Sequence, residues 1–175
     1  IKDGMEVYSK VEKLSKSANL SESVYNQAVK LGEAGKIQES LNLLNQIKGN
    51  YAKEKTLYDS MNSFHKKVSL WLGTWKHRGT VNGEKTTYYI TFSEVLYKGE
   101  PCIKIKDMNN KSLGYDVEIS SKNHITQIEV GKYMIHFKLK NNHNQKLTYT
   151  LLEGKKMLRE LKYEGVTYKT KYKKK

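Results

Sequence analysis

The 175-residue chain has few of the residues that lock a backbone or build a reactive site. Its one cysteine, Cys102, cannot form a disulfide within the chain. Proline occurs once, at Pro101, and apolar runs fall far short of the about 20 residues that a membrane-spanning helix needs. Because no histidine or carboxylate is tied to Cys102 by sequence, we expect it to be a small core residue rather than a nucleophile.

Patterns typical of catalysis or metal binding are also missing from the sequence. The five histidines are not spaced as metal ligands, and no cysteine or aspartate cluster accompanies them. Paired carboxylates on a pocket strand and a glycine-rich phosphate loop are absent as well. The sequence therefore predicts no catalytic residue, no metal, no cofactor and no enzyme activity. The histidines are His65, His77, His124, His136 and His143.

Arginine is scarce although the chain is strongly basic, with a formal charge of +14. Residues 1–71 carry 11 Lys against 8 acids (+3), whereas residues 72–175 carry 21 Lys or Arg against 10 acids (+11). Such a field attracts nucleic acid, acidic lipid or anionic wall polymers. Only Arg78 and Arg159 are arginines, a bias that fits the codon usage of an AT-rich genome and disfavours specific phosphate recognition. Specific nucleic-acid binding is therefore disfavoured.

The first 71 residues carry apolar side chains three and four positions apart, which is the period of a helix. We expect helices at about 4–16, 21–33, 36–48 and 51–71, with a linker at 17–20. Ser21 is the expected N-cap of the second helix, and Gly35 ends that helix. The expected stripes are Met5, Tyr8, Val11 and Leu14 in the first helix, Val24, Ala28 and Leu31 in the second, and Ile37, Leu41, Leu44 and Ile47 in the third.

Two of these helices form a hairpin with a family resemblance. The order Ala28, Leu31, Gly35, Leu44, Ile47 resembles a single tetratricopeptide repeat, although Ser40 replaces the usual alanine and Ala52 the usual proline. The resemblance implies a groove that binds a peptide or another protein. The residues expected to line it are Tyr25, Asn26, Val29 and Asn45.

From Leu72 onward the apolar period changes to two, which predicts half-buried strands. Short turn signals such as Asn82-Gly83 separate the strands. We therefore expect an α+β protein, with a helical segment of three or four helices (1–71) followed by an antiparallel β domain (72–175). Its eight or nine strands form an up-and-down meander that closes into a barrel. The lysine-rich end, residues 169–175, is expected to be a frayed, solvated strand end.

The β domain opens with Gly73-Thr74-Trp75, which resembles the Gly-x-Trp signature of lipocalins and their calycin relatives. The resemblance implies that Trp75 closes one end of the barrel against a basic side chain from the last strands, for which Arg159 is the candidate. It also implies that the interior binds a small apolar or amphipathic ligand. An eight-stranded interior is so narrow that bulky rings alone can fill it. The residues expected in the interior are Trp75, Tyr88, Phe92, Tyr133, Phe137, Tyr149 and Arg159.

Three functional hypotheses stay open. The first is a non-enzymatic, bacterial extracytoplasmic protein whose β-barrel binds a small apolar or amphipathic ligand or a surface partner. The extracytoplasmic location is expected because a chain beginning with Ile1 fits the product of signal or membrane-anchor removal, and a cytoplasmic location is the alternative. The second is a protein-interaction module that uses the tetratricopeptide-like helices. The third is a binder of an anionic cell-surface polymer or nucleic acid. It requires one contiguous lysine face, whereas strand alternation alone favours scattered charges.

Overall fold

The structure is a computed structural model, and it describes the backbone of residues 2–110, 115–119, 125–139 and 146–175. It describes the side chains of residues 8–80, 82–106, 131–135 and 146–175. Helices are followed by strands, so the predicted mixed α+β class is confirmed. The elements are α1 (Lys2–Glu33), α2 (Ile37–Gln46), α3 (Glu54–Val68), β1 (Gly73–Val81), β2 (Glu84–Tyr97), β3 (Glu100–Asn110), β4 (Tyr115–Ile119), β5 (Ile125–Val130), β6 (Met134–Leu139), β7 (Lys146–Leu152), β8 (Lys156–Tyr163) and β9 (Val166–Lys174).

The chain forms two compact units. The helical unit comprises Ile1–Phe64 with Val95–Pro101, and the sheet unit comprises His65–Glu94 with Cys102–Lys175. No helix in the described part of the chain is both long and apolar enough to span a membrane.

Helix α1 runs without a break through the linker expected at 17–20. Ser21 is therefore not an N-cap; its hydroxyl donates to the Ser17 carbonyl oxygen one turn earlier, at 3.0 Å. The intervening residues contain neither glycine nor proline, and the differences in helix propensity among the other residues are too small to break a helix. The helix ends where predicted, because Gly35 adopts a φ of 80° and Lys36 N–H donates to the Leu31 carbonyl oxygen at 2.9 Å.

The core of the helical unit uses the apolar stripe predicted for α2, whose members are all buried. Ser40 occupies the position of the usual tetratricopeptide alanine, and its hydroxyl donates to the Ala28 carbonyl oxygen at 2.7 Å. Gly32 lies against Leu96, and a Cβ at Gly32 would collide with Leu96 Cδ1. This approach explains a glycine inside a helix. The buried cluster consists of Ala28, Ile37, Leu41, Leu44, Leu57, Met61 and Leu96.

Two expectations for the helices differ from the structure. The first stripe is not a core face, because Tyr8, Val11 and Leu14 are exposed; the side chain of Met5 lies outside the described residues. Helix α3 is shorter than the expected 51–71, and Trp71 lies in the turn that follows it. That turn is held by Trp71 N–H, which donates to the Val68 carbonyl oxygen at 2.8 Å.

The strands of the sheet unit follow the predicted meander in a curled antiparallel sheet, compatible with a half-barrel. Their order is β4-β3-β2-β1-β9-β8-β7-β6-β5, so consecutive strands are adjacent except β4 and β5, which stand at the two ends of the order. The first and last strands also pair, through Trp75 with Lys174 and Lys76 with Lys173. Residues 111–114, 120–124 and 140–145 lie outside the described part, so the expected strand count and barrel closure stay predictions.

Tight turns set the register of this meander. Val81 pairs with Glu84 across Asn82-Gly83, whose φ angles are 50° and 85°. Positive φ at both central residues is the geometry of a type I′ turn, which matches the right-handed twist of the flanking strands. The sequence also signals turns at residues 122–123 and 141–144, and these lie outside the described residues.

Candidate functional site

Trp75 is buried on the inward face of the sheet, which we define as the face that carries Trp75, Ile90, Tyr149 and Met157. Its side chain is 1% exposed, and its indole N–H donates to the Trp71 carbonyl oxygen at 2.8 Å. Trp71 is equally buried and donates its own indole N–H to the Gly131 carbonyl oxygen at 3.1 Å. The two tryptophans are thus fixed by hydrogen bonds as well as by packing.

The cation recorded over the Trp75 ring is Lys174, not the Arg159 that the resemblance suggested. Lys174 Nζ lies 5.4 Å from the ring centroid and donates to the Leu70 carbonyl oxygen at 3.0 Å. Burial, and then the neighbouring Lys155 charge, lowers the pKa of Lys174. Arg159 is on the same face but pairs with Tyr149 and Thr170. Thr170 is four residues from Lys174, or about 13 Å along the strand.

Part of the predicted interior set meets around these tryptophans. The Phe92 ring lies 5.6 Å from the Trp71 ring and 5.3 Å from the Tyr149 ring, the second pair in an edge-to-face arrangement. Phe92 and Tyr149 are fully buried. Rings in contact at these distances fill space as a core does.

Two further residues of the predicted interior set, Tyr88 and Tyr133, are not fully buried. Tyr88 is half-buried beside His77, with ring centroids 5.9 Å apart. Tyr133 is 57% exposed, with Lys132 Nζ 5.1 Å from its ring centroid. The side chain of Phe137 lies outside the described residues.

The residues predicted to line a tetratricopeptide-like groove divide into two pairs. Tyr25 and Val29 are half-buried and pack against the helical core, and the Tyr25 ring lies 4.9 Å from the Tyr51 ring. Asn26 and Asn45 are exposed. A polar hollow of about 480 Å³ runs along α1 and includes Asn26. Its lining is Asn19, Glu22, Ser23, Asn26, Gln27 and Lys30.

The outward face of β1, β9 and β8 gathers cations that the sequence places far apart. Lys173 pairs with Lys76 on one side and with Lys156 on the other, so three lysines form one row across three strands. Lys171 lies two residues before Lys173 on β9, and Lys175 follows the end of that strand, so both share this face because side chains alternate along extended backbone. We call the following set the basic face: Lys76, Arg78, Lys156, Lys169, Lys171, Lys173 and Lys175.

Negative charge is sparse among these cations. Glu160 lies on the same face, and its carboxylate is 3.0 Å from Lys169 Nζ. In the described part of the chain, Lys156, Lys171 and Lys173 have no ion-pair partner. All members except Lys76 are exposed, and Lys76 is half-buried.

The sequence did not reveal this face, since alternation shows which residues point outward but not which strands are neighbours. Strand β9 is also not a frayed end. Lys174 N–H donates to the Lys155 carbonyl oxygen at 3.0 Å, and Lys175 N–H donates to the Thr74 carbonyl oxygen at 2.8 Å. The strand is therefore held on both sides, and it displays its lysines at fixed intervals.

A buried carboxylate, which the sequence reasoning also missed, lies elsewhere in the sheet unit. The Glu94 side chain is 2% exposed, and its Oε2 lies 2.8 Å from His65 Nδ1. Burial raises the pKa of Glu94, and the hydrogen bond with His65 opposes that rise. The sequence did contain one sign of this burial. Glu94 occupies a position in the alternation of Ile90, Phe92 and Leu96 at which an apolar side chain is expected.

Clusters of three or more His, Cys, Asp or Glu side chains that could hold a metal ion are absent from the residues described. The fold defines a mixed α+β protein with helices before a curled antiparallel sheet. Comparisons with protein-family models, with curated proteins and with solved structures found no match. A functional proposal for this chain therefore rests on the geometry of its own residues.

Proposed function

We propose that this chain is a non-enzymatic binding protein whose basic face holds a linear, anionic cell-surface polymer. The observation that carries the proposal is the row Lys76, Lys173 and Lys156, which the pairing of the first and last strands assembles. A lysine face of this kind is costly for the free protein, because like charges repel. A polyanion lying across it relieves that repulsion.

The spacing of the lysines suits a chain rather than a single anion. Outward residues two apart on β9 are separated by about 6.6 Å, so Lys169, Lys171, Lys173 and Lys175 extend over about 20 Å. Strands in a sheet are about 4.8 Å apart, so the rows on β1 and β8 widen the basic face to about 10 Å. This long and narrow field matches one extended polymer with regularly repeated negative charges.

The composition of the basic face favours recognition of charge over recognition of bases. Six of its seven cations are lysines, which act as point charges, whereas bidentate phosphate recognition uses arginine. Base stacking needs open aromatic faces. Among the described residues, the Tyr89 ring lies 6.0 Å from Lys175 Nζ but is half-buried. These features support a cell-surface polymer outside the cytoplasm rather than a nucleic acid.

The inward face, in this proposal, is a scaffold that keeps β1 beside β9. We propose that β4 and β5 pair to close the sheet into a lipocalin-like barrel. The strand order supports closure. All pairs of consecutive strands except β4 and β5 are adjacent, and the first strand, β1, lies beside the last strand, β9. The contacts of Phe92 with Trp71 and Tyr149 support an interior filled by side chains at the Trp75 end.

The proposal is tested by measuring the binding of a fluorescent poly(glycerol phosphate) to the full chain in 0.1 M salt. The double variant Lys171→Gln/Lys173→Gln should bind on the order of thirtyfold more weakly, because each lysine near an anionic surface contributes about 1 kcal/mol. The matched control is Lys10→Gln/Lys13→Gln, which removes two exposed charges from α1 and should stay within about twofold of the parent.

The outcomes separate the alternatives. If both double variants lost the same amount of binding affinity, the polymer would be responding to net charge alone, and binding on the basic face would be refuted. Tighter binding of a single-stranded oligonucleotide of the same charge would favour nucleic acid instead.

A further inference from the structure

Glu94 occupies a position on the sheet where a charged group is costly. It is on the inward side of β2, one alternate position from Phe92, and its side chain is 2% exposed. Its Oε2 lies 2.8 Å from His65 Nδ1, while its Oε1 has no hydrogen-bond partner among the described residues. His65 lies in the last turn of α3 and is 35% exposed.

Among the described residues, the charged or titratable group that acts on this carboxylate is His65. Along β2, its neighbours on the same face are apolar, and so are the buried residues Ile103 and Ile105 of the adjacent strand β3. On β1, Gly73 pairs with Phe92 and has no side chain. Lys66 and Lys67 follow His65 on α3 but are exposed. Within the described part of the chain, His65 is the one titratable group recorded as acting on Glu94.

The contact between Glu94 and His65 has its lowest free energy when the two side chains share one proton. Burial disfavours the ionised carboxyl, so the proton lies on Glu94, whose O–H can donate to the imidazole nitrogen 2.8 Å away. Loss of the proton leaves a buried anion, and one of its oxygens has no donor among the described residues. Such a group is expensive away from water.

The turn after the pair links it to the two tryptophans. Ser69 N–H donates to the His65 carbonyl oxygen at 2.9 Å, and Trp71 N–H donates to the Val68 carbonyl oxygen at 2.8 Å. Trp71 then accepts the indole N–H of Trp75. If the turn at His65 opened, the hydrogen bonds that hold Trp71 and Trp75 would therefore be disturbed as well.

We propose that His65 and Glu94 form a one-proton clasp that fastens the last turn of α3 to β2, and that loss of this proton with rising pH loosens the turn and the Trp71 contact after it. This inference does not depend on polymer binding. It adds a pH-sensitive device to the sheet unit.

The experiment is amide hydrogen exchange of Ser69 and Trp71 in the full chain between pH 5 and pH 9, normalised to the intrinsic exchange rates. Protection should fall as pH rises, by no more than about tenfold per pH unit because one proton is lost. Glu94→Gln keeps the shape but cannot lose a proton, so its protection should be independent of pH. A flat profile in the parent, or the same fall in Glu94→Gln, would overturn the clasp.

A second measurement covers the case in which Glu94→Gln does not fold. The carboxyl ¹³C shift of Glu94 is followed over the same pH range in the parent chain. A titration that coincides with the loss of protection supports the clasp. Titration at an ordinary glutamate pKa, or apart from the loss of protection, refutes it.

Discussion

Replacing Trp75 with alanine removes one of the two fully buried tryptophan side chains of the sheet unit. The side chain is 1% exposed, and deletion of a buried large aromatic side chain costs about 3–5 kcal/mol. The change also leaves the Trp71 carbonyl oxygen without the donor now 2.8 Å away, which adds to the loss. Urea denaturation followed by far-UV circular dichroism should therefore give a free energy of unfolding lower by at least about 3 kcal/mol.

Trp75→Phe divides this loss into two parts. Phenylalanine keeps most of the apolar area but has no N–H, so its cost should be about 1–3 kcal/mol, which is that of an unpaired buried carbonyl with a small cavity. Leu70→Ala is the matched control, because Leu70 is nearby but 45% exposed. If Trp75→Ala lowered the free energy of unfolding by less than about 1 kcal/mol, the structural role of the buried Trp75 side chain would be refuted.

Three further predictions concern other parts of the fold. Gly32→Ala should lower the free energy of unfolding because the new Cβ meets Leu96, although alanine normally stabilises a helix interior by about 1 kcal/mol relative to glycine. Ser9→Ala, at an exposed position of α1, is the control. A higher free energy of unfolding for Gly32→Ala would contradict the packing of Gly32 against Leu96. The raised pKa of Glu94 means that the folded chain binds this proton more tightly than the unfolded chain, so its stabilising contribution is present at low pH and lost as pH rises through the folded pKa. Urea titrations should therefore show Glu94→Gln gaining stability relative to the parent between pH 5 and pH 8, and a decreasing difference would show that the ion pair with His65 dominates. Glu54→Ala should cost about 1–3 kcal/mol, because buried Glu54 accepts the Gly49 N–H at 3.1 Å, and a neutral result in the same denaturation assay would contradict that role.

Local periodicity predicted much of the fold because it reports which side of an element is buried. The stripe of Ile37, Leu41 and Leu44 located α2, and the period of two located the strands of the sheet. The break expected at 17–20 was wrong because polar side chains alone do not end a helix. The exposure of Tyr8 and its stripe could not be predicted, since an apolar stripe does not reveal whether a partner covers it.

The candidate sites depended on long-range pairing, which a sequence pattern does not contain. Lys76 and Lys173 are almost a hundred positions apart in the sequence, and only the β1–β9 pairing makes them neighbours. The same pairing brings Lys174 rather than Arg159 to the Trp75 ring. Glu94 and His65 are 29 residues apart, and an inward carboxylate was the single local signal of their contact.

The salt dependence of polymer binding tests the central claim most directly. Dissociation constants for poly(glycerol phosphate) are measured between 0.05 and 0.3 M salt for the parent chain and for Lys171→Gln/Lys173→Gln. If both lysines contact the polymer, the slope of log affinity against log salt should be shallower in the variant by about 1.5, because each lost contact removes about 0.7–0.9. Equal slopes would contradict binding on the basic face.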